Sequence, residues 1–199
     1  MKAIMSMMAA AALLAICSFR HTPKEAPGNC GLYLTPGDFQ QSKLSYAGGA
    51  SGEEATIKIH EGLFGSSTVK LIYNGKKQVF SFGQIYGYRD RSGQDYRFFG
   101  SGAYRILDTA GFYMYSYTRM VQGDKIARPK TLFFFSVKPT GDIMQLTLAS
   151  LESAFAGNAR FRYAAEALGG GFRSDRELAA YDDLLKCYKI KYLYAQSTQ

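Results

Sequence analysis

The sequence predicts a mainly β protein, an antiparallel meander closing into a sandwich or barrel, with an α-helical layer at its C-terminal end (α+β). Three observations predict it. Between residues 43 and 148, short runs of alternating apolar and polar residues are divided by Gly, Asn and Asp. The 199 residues include 15 Tyr, 14 Phe and 21 Gly, a balance that favours pleated strands and tight turns. Beyond residue 148 the apolar spacing lengthens to that of helices. With 47% hydrophobic and 20% charged residues the chain can bury a substantial core, and wholesale disorder is excluded.

At the N-terminus, Lys2 precedes a run over 3–16 that is apolar except for Ser6. The run is short of the about 20 residues a spanning helix needs, and it reads as a secretory signal over 1–17. Two cleavage readings stay open. Residues 14–17 resemble a bacterial lipoprotein box with Cys17 as the lipidated residue, although Ile16 stands where the box takes Gly, Ala or Ser. An ordinary cut after Cys17 puts Ala15 and Cys17 at the small-residue positions, and this reading is favoured. Residues 18–29 then form a tether containing Pro23 and Pro27, and 30–199 a single domain, β-rich over 30–148 and helical over 149–199. Export to the periplasm, the outer membrane or the exterior is expected. In such an oxidising compartment Cys30 and Cys187 are either bridged or packed as two small apolar thiols. A bridge would close nearly the whole domain, a constraint for which chain entropy gives about 4 to 5 kcal/mol.

The strands are justified in order. Over 55–60, Ile57 and Ile59 alternate with Thr56, Lys58 and His60. Runs at 69–73 and 78–82 flank Asn74 and Gly75, a dipeptide suited to the positive φ angles of a tight hairpin. Runs at 84–89 and 95–99 flank a turn at 90–93, and runs at 103–107 and 112–119 flank another at 108–111. A wholly apolar stretch within 131–137 reads as a buried strand, and a turn at 139–142 leads into 143–146. Residues 122–130 form the one long connection, which is basic and contains Gly and Pro. Helices are expected over 149–155 and 159–168, with Asn158 capping the second. Ser174 and Glu177 have the spacing of a capping box. They open a third helix with Leu178, Tyr181, Leu185, Tyr188 and Tyr192 on one stripe and Lys186, Lys189 and Lys191 toward its end. Ile190, Tyr192 and Tyr194 also alternate as a strand would.

Several blocks are familiar together: 31–39 with Lys43 and Leu44, 87–97, 146–155, 158–161 and 177–182. They resemble a group of small exported proteins of Bacteroidota over most of the chain after Cys30. The resemblance implies an exported or envelope-associated protein. It supplies no catalytic residues.

Enzymatic signatures are sparse. His21 lies in the tether, which leaves His60; with Glu61 at a strand end it has the form of half a base–orienter pair, but no nucleophile elbow or partnered cysteine accompanies it. Glu53, Glu54, Asp90, Asp95, Asp108 and Asp142 sit mostly at turns, where Asp ordinarily serves turn formation. A carboxylate-dependent hydrolase built near 89–97 is the enzymatic alternative. No glycine cluster has the order of a nucleotide loop, the cysteine spacing gives no metal site, and no cofactor is expected. The net charge of +8 is scattered along the chain, and export separates it from nucleic acid. An acidic glycan or anionic lipid remains a suitable partner.

The aromatic pattern is the most informative feature. Tyr113, Tyr115 and Tyr117 share one face of their strand, with Phe112, Met114 and Ser116 on the other. The Tyr face is either an exposed platform or core beneath the C-terminal helices, the second being favoured. The leading expectation is an exported, non-enzymatic envelope protein that binds a ligand, a glycan or an envelope protein. The binding surface is this Tyr face or the basic connection with Lys125, Arg128 and Lys130. Membrane association would come through a lipid on Cys17. An assembly subunit of an envelope complex is the third reading.

Overall fold

The computed structural model describes residues 29–48, 54–62, 67–122, 126–169 and 175–199. The expected signal, the 18–28 part of the tether, Cys17 and Lys125 lie outside the described residues. Strand β1 (Cys30–Tyr33) is followed by the short helix α1 (Pro36–Gln40), which Thr35 and Asp38 cap reciprocally, and by β2 (Ser45–Gly48). Next come β3 (Ala55–His60), β4 (Thr68–Tyr73), β5 (Lys76–Ser81), β6 (Gly87–Arg89) and β7 (Asp95–Phe99). The β region is completed by β8 (Gly102–Asp108), β9 (Tyr113–Val121), β10 (Arg128–Ser136) and β11 (Met144–Gln145). The C-terminal part holds α2 (Leu148–Ala154), α3 (Ala159–Gly169), α4 (Asp175–Leu178), the hairpin β12 (Tyr181–Asp182) and β13 (Cys187–Tyr188), and α5 (Lys189–Ser197).

The protein is mainly β, antiparallel throughout, with a helical layer toward the C-terminus. Eight strands form one sheet in the order β11-β10-β9-β8-β7-β6-β1-β2, and β3-β4-β5 form a second. The large sheet stays open, so the barrel is not made. Asn74 and Gly75 both adopt positive φ, at 47° and 76°, and set the β4–β5 hairpin as the sequence requires. Gly87 is needed for a different reason. A Cβ there would lie 2.0 Å from the Tyr96 carbonyl oxygen on the neighbouring strand.

One face of the large sheet is covered in two halves. Leu32, Phe98 and Tyr88 pack under the second sheet through Val69 and Leu71, which is a sandwich arrangement. Further along, Met114, Phe133 and Phe135 pack under α2, α3 and α5. There Phe112, Phe155, Phe161 and Tyr194 form a cluster of rings with centroids 4.9–6.3 Å apart. The helices therefore lie on the Phe112–Met114 side of β9, opposite the Tyr face they were expected to cover. Asn158 caps α3 as expected, its Oδ1 accepting the Phe161 N–H at 3.0 Å. Asn158→Ala should cost about 1 kcal/mol in a chemical denaturation experiment. A cost below the noise would mean that α3 is held by packing alone.

One expectation is corrected. The long terminal helix is broken. Asp182 Oδ1 accepts the Leu184 and Leu185 N–H groups and Lys186 takes φ 52°, which turns the chain into the β12–β13 hairpin. Leu185 and Tyr181 are consequently exposed, and Lys189 and Lys191 fall at the start of a helix, not its end. Of the two readings for the cysteines, the packed thiols are the one found: Cys30 and Cys187 are free and buried. Cys30 Sγ faces the Gly48 and Ala55 carbonyls, whereas Cys187 lies near Asp182 and Asp108. The strands carrying Cys30 and Asp108 are separated by β6 and β7, roughly 14 Å across the sheet and beyond the reach of a disulfide.

Candidate binding face

The uncovered face of the large sheet is built from the alternate residues of each strand. Register places Tyr33, Gly87, Arg97 and Tyr104 in one row across β1, β6, β7 and β8, and Ile106, Tyr115 and Phe134 in another across β8, β9 and β10. Its inner part is closed by α1 through Phe39, by Tyr86, and by Ile143 beyond β10. Tyr115 is fully buried there, so the core reading holds for it, under α1 and the chain before β11. Ser136 Oγ donates to the Lys138 carbonyl (2.8 Å), which leaves the Tyr115 hydroxyl to donate to Ser136 Oγ (2.9 Å). The Arg97 Nη1 donates to both Tyr115 (3.1 Å) and Ser136 (3.3 Å), and its Nη2 to the Gly141 carbonyl at 2.7 Å. Burial raises the Tyr115 hydroxyl pKa, and the Ser136 and Arg97 contacts oppose that rise.

Tyr113 is half-buried, stacked beside Tyr115 and tilted against Phe39. Tyr117 is half-buried at the outer end, beside the Tyr104 ring. Its hydroxyl donates to Glu61 Oε2 at 2.8 Å while Glu61 Oε1 accepts the Ala103 N–H. Burial, reinforced by the Glu61 carboxylate, pushes the Tyr117 hydroxyl up to about 12. Beyond Tyr117 the β9–β10 ribbon continues with Lys130 directly opposite Arg119 and Arg128 opposite Val121. Alternation puts all of these on the Tyr face. Arg119, Arg128 and Lys130 are exposed, and none has an ion-pair partner among the described residues. The tyrosine row and the basic segment, two separate candidates in the sequence, are thus one continuous face.

The carboxylates proposed for hydrolysis have other work. Asp90 Oδ1 accepts the Ser92 N–H, the Ser92 hydroxyl and the Gln94 N–H, and so shapes the β6–β7 turn. Asp95 takes both the Nε and Nη2 of buried Arg89, at 2.8 and 3.0 Å, and the Tyr33 hydroxyl at 2.9 Å. Asp95→Asn would also weaken the grip on Arg89, so a loss of function in that variant would not by itself report a catalytic acid. His60 is exposed at the end of β3. Among the described residues no group of three or more His, Cys, Asp or Glu could hold a metal ion.

Sequence reasoning missed Arg97, and it weighed Glu61 only as a partner of His60. Arg97 could have been flagged as a cation flanked by Tyr96 and Phe98 within a strand. The contacts of Glu61 with Tyr117 and Ala103 had no signal, since they come from the approach of β8 and β9 to the end of β3. Comparison with protein-family models, with curated proteins and with solved structures returns no match.

Proposed function

We propose that this is an exported, non-enzymatic envelope protein that binds an acidic glycan along the outer Tyr face and basic ribbon of β9 and β10. The observation that carries the reading is the pairing of Arg119 with Lys130. Like charges set directly opposite each other on a ribbon are destabilising, and Arg128 adds to them, with no carboxylate among the described residues in an ion pair with any of the three. A surface that keeps such a cost is suited to a polyanion. Tyr117 and Tyr104 beside it offer ring faces to sugars. Export rests on the apolar 3–16 run, and envelope association on the resemblance to small exported Bacteroidota proteins.

The test uses immobilised polygalacturonate with neutral dextran as control. The protein should be retained on polygalacturonate alone, and less so as salt rises. The triple variant Arg119→Gln, Arg128→Gln, Lys130→Gln should bind roughly tenfold more weakly, about half a kcal/mol for each exposed contact. It should be no less stable than the parent, because the repulsion is gone. Equal retention of parent and variant would overturn the proposal. The assembly-subunit reading draws on Met120 and Ile126, exposed apolar residues near the end of the same ribbon. A cross-linking experiment that recovers no protein partner counts against it.

A further inference from the structure

The inner part of the sheet points to a second site, independent of the outer ribbon. Arg97 is 5% exposed, and its charge meets only neutral acceptors: a phenol, a hydroxyl and a carbonyl. The rings of Tyr86, Phe99 and Tyr115 lie 5.5–5.9 Å from its guanidinium carbon, which partly offsets the cost of burying it. Arg89, two strand-widths from β8 in the same sheet, shows what a guanidinium ordinarily obtains at such burial. Its Nε and Nη2 edge grips the Asp95 carboxylate with two hydrogen bonds. On Arg97, the Nε–H and one of the two Nη2–H groups have no acceptor among the described residues, and no carboxylate pairs with it.

A cleft of about 520 Å³ has Arg97 in its lining. Its walls are largely apolar, from Leu34, Pro36, Phe82, Ile85, Tyr86 and Phe99, and Arg97 is the one cation among the described residues that line it. Apolar walls around a few convergent polar groups are the ordinary make-up of a small-molecule site. One guanidinium with no second cation matches a monoanion better than a phosphate dianion, and its planar fork matches a carboxylate. We propose that this cleft binds a small molecule carrying a carboxylate on an apolar or aromatic body, with Arg97 taking the carboxylate.

The experiment follows the Arg97 Nε–H signal by NMR, assigned through its bonds to the Arg97 side-chain and backbone resonances. Phenylacetate, hexanoate and N-acetylphenylalanine serve as probes, with 2-phenylethanol and inorganic phosphate as controls. At least one acid should shift the signal saturably below about 10 mM. The neutral alcohol and phosphate should leave it in place. A Cβ at Gly83, on the cleft wall, would meet nothing within 4 Å, so Gly83→Trp should fold normally, keep the Arg97 signal and abolish the acid-induced shift. This variant keeps the test sharp even where replacing Arg97 unfolds the chain. No shift with any acid, an equal response to the alcohol, or undiminished binding in Gly83→Trp would each overturn the proposal. None of these outcomes bears on retention by polygalacturonate, which reads the outer ribbon.

Discussion

Phe161→Ala should destabilise the protein by about 4 kcal/mol, a large share of the about 5–15 kcal/mol that holds an ordinary domain together. Phe161 is fully buried in α3, and its ring meets Phe155 at 4.9 Å, Tyr194 at 5.2 Å and Phe112 at 6.3 Å. These neighbours come from the end of α2, from α5 and from the start of β9, so one ring joins the helices to each other and to the sheet. Truncating it removes apolar burial and leaves a void between elements that cannot all close on it. Thermal denaturation should show the midpoint falling by roughly 10 °C. Tyr163→Ala, two residues along the same helix, is the control. Tyr163 is 69% exposed, and its loss should change stability by less than about 0.5 kcal/mol. Comparable losses in the two variants would mean that the helical layer is not packed through this face.

The division between what the residues reveal and what they conceal follows from the range of the interactions. The β3–β5 meander is legible because alternation and the Asn74–Gly75 turn act within a few residues. β1 is not, since all four of its residues are buried and its pattern has no polar side to read. The C-terminal stripe misleads for a related reason. Leu178, Tyr181, Leu185 and Tyr188 satisfy helical spacing, yet the side chain of Asp182 competes for the backbone and ends the helix. Tyr115 was found because alternation is local. Arg97 was missed because its acceptors, Ser136 and Gly141, come from 39 and 44 residues away. The union of the Tyr row with Arg128 and Lys130 depends on a register that sets Lys130 opposite Arg119. A shift of one residue would have sent the basic side chains to the other face.

Stability should rise with pH between about 8 and 10 and fall above that, and Lys191→Met should abolish the rise. Lys191 sits in the first turn of α5 and is 2% exposed. Its ammonium donates to the Phe112 carbonyl, lies 4.1 Å from the Phe112 ring centroid and is 3.3 Å from Asp108. Burial pulls its pKa down from 10.5 to about 8, against the opposing pull of Asp108. Between those two values the unfolded chain holds a proton that the folded chain has released. Raising the pH therefore favours folding, by up to about 3 kcal/mol across the full interval. Below pH 8 both states carry the proton and the whole penalty of burying the charge remains. The tyrosines act in the opposite sense. Burial raises the hydroxyls of Tyr86, Tyr88 and Tyr117 above their ordinary value of 10, so above pH 10 the unfolded chain ionises first and stability drains away. The two effects together place the maximum near pH 10. Lys191→Met retains the apolar stem without the charge, so its stability should show no rise from pH 8 to 10, where the Cys187 thiol, pushed by burial above its ordinary value of 9, pulls it gently down, and should fall more steeply above 10 like the parent. Urea midpoints measured across pH 7–11 for both proteins decide the matter. A parent that loses stability from pH 8 upward, or a variant with the same rise, would show that Lys191 keeps its proton in the fold.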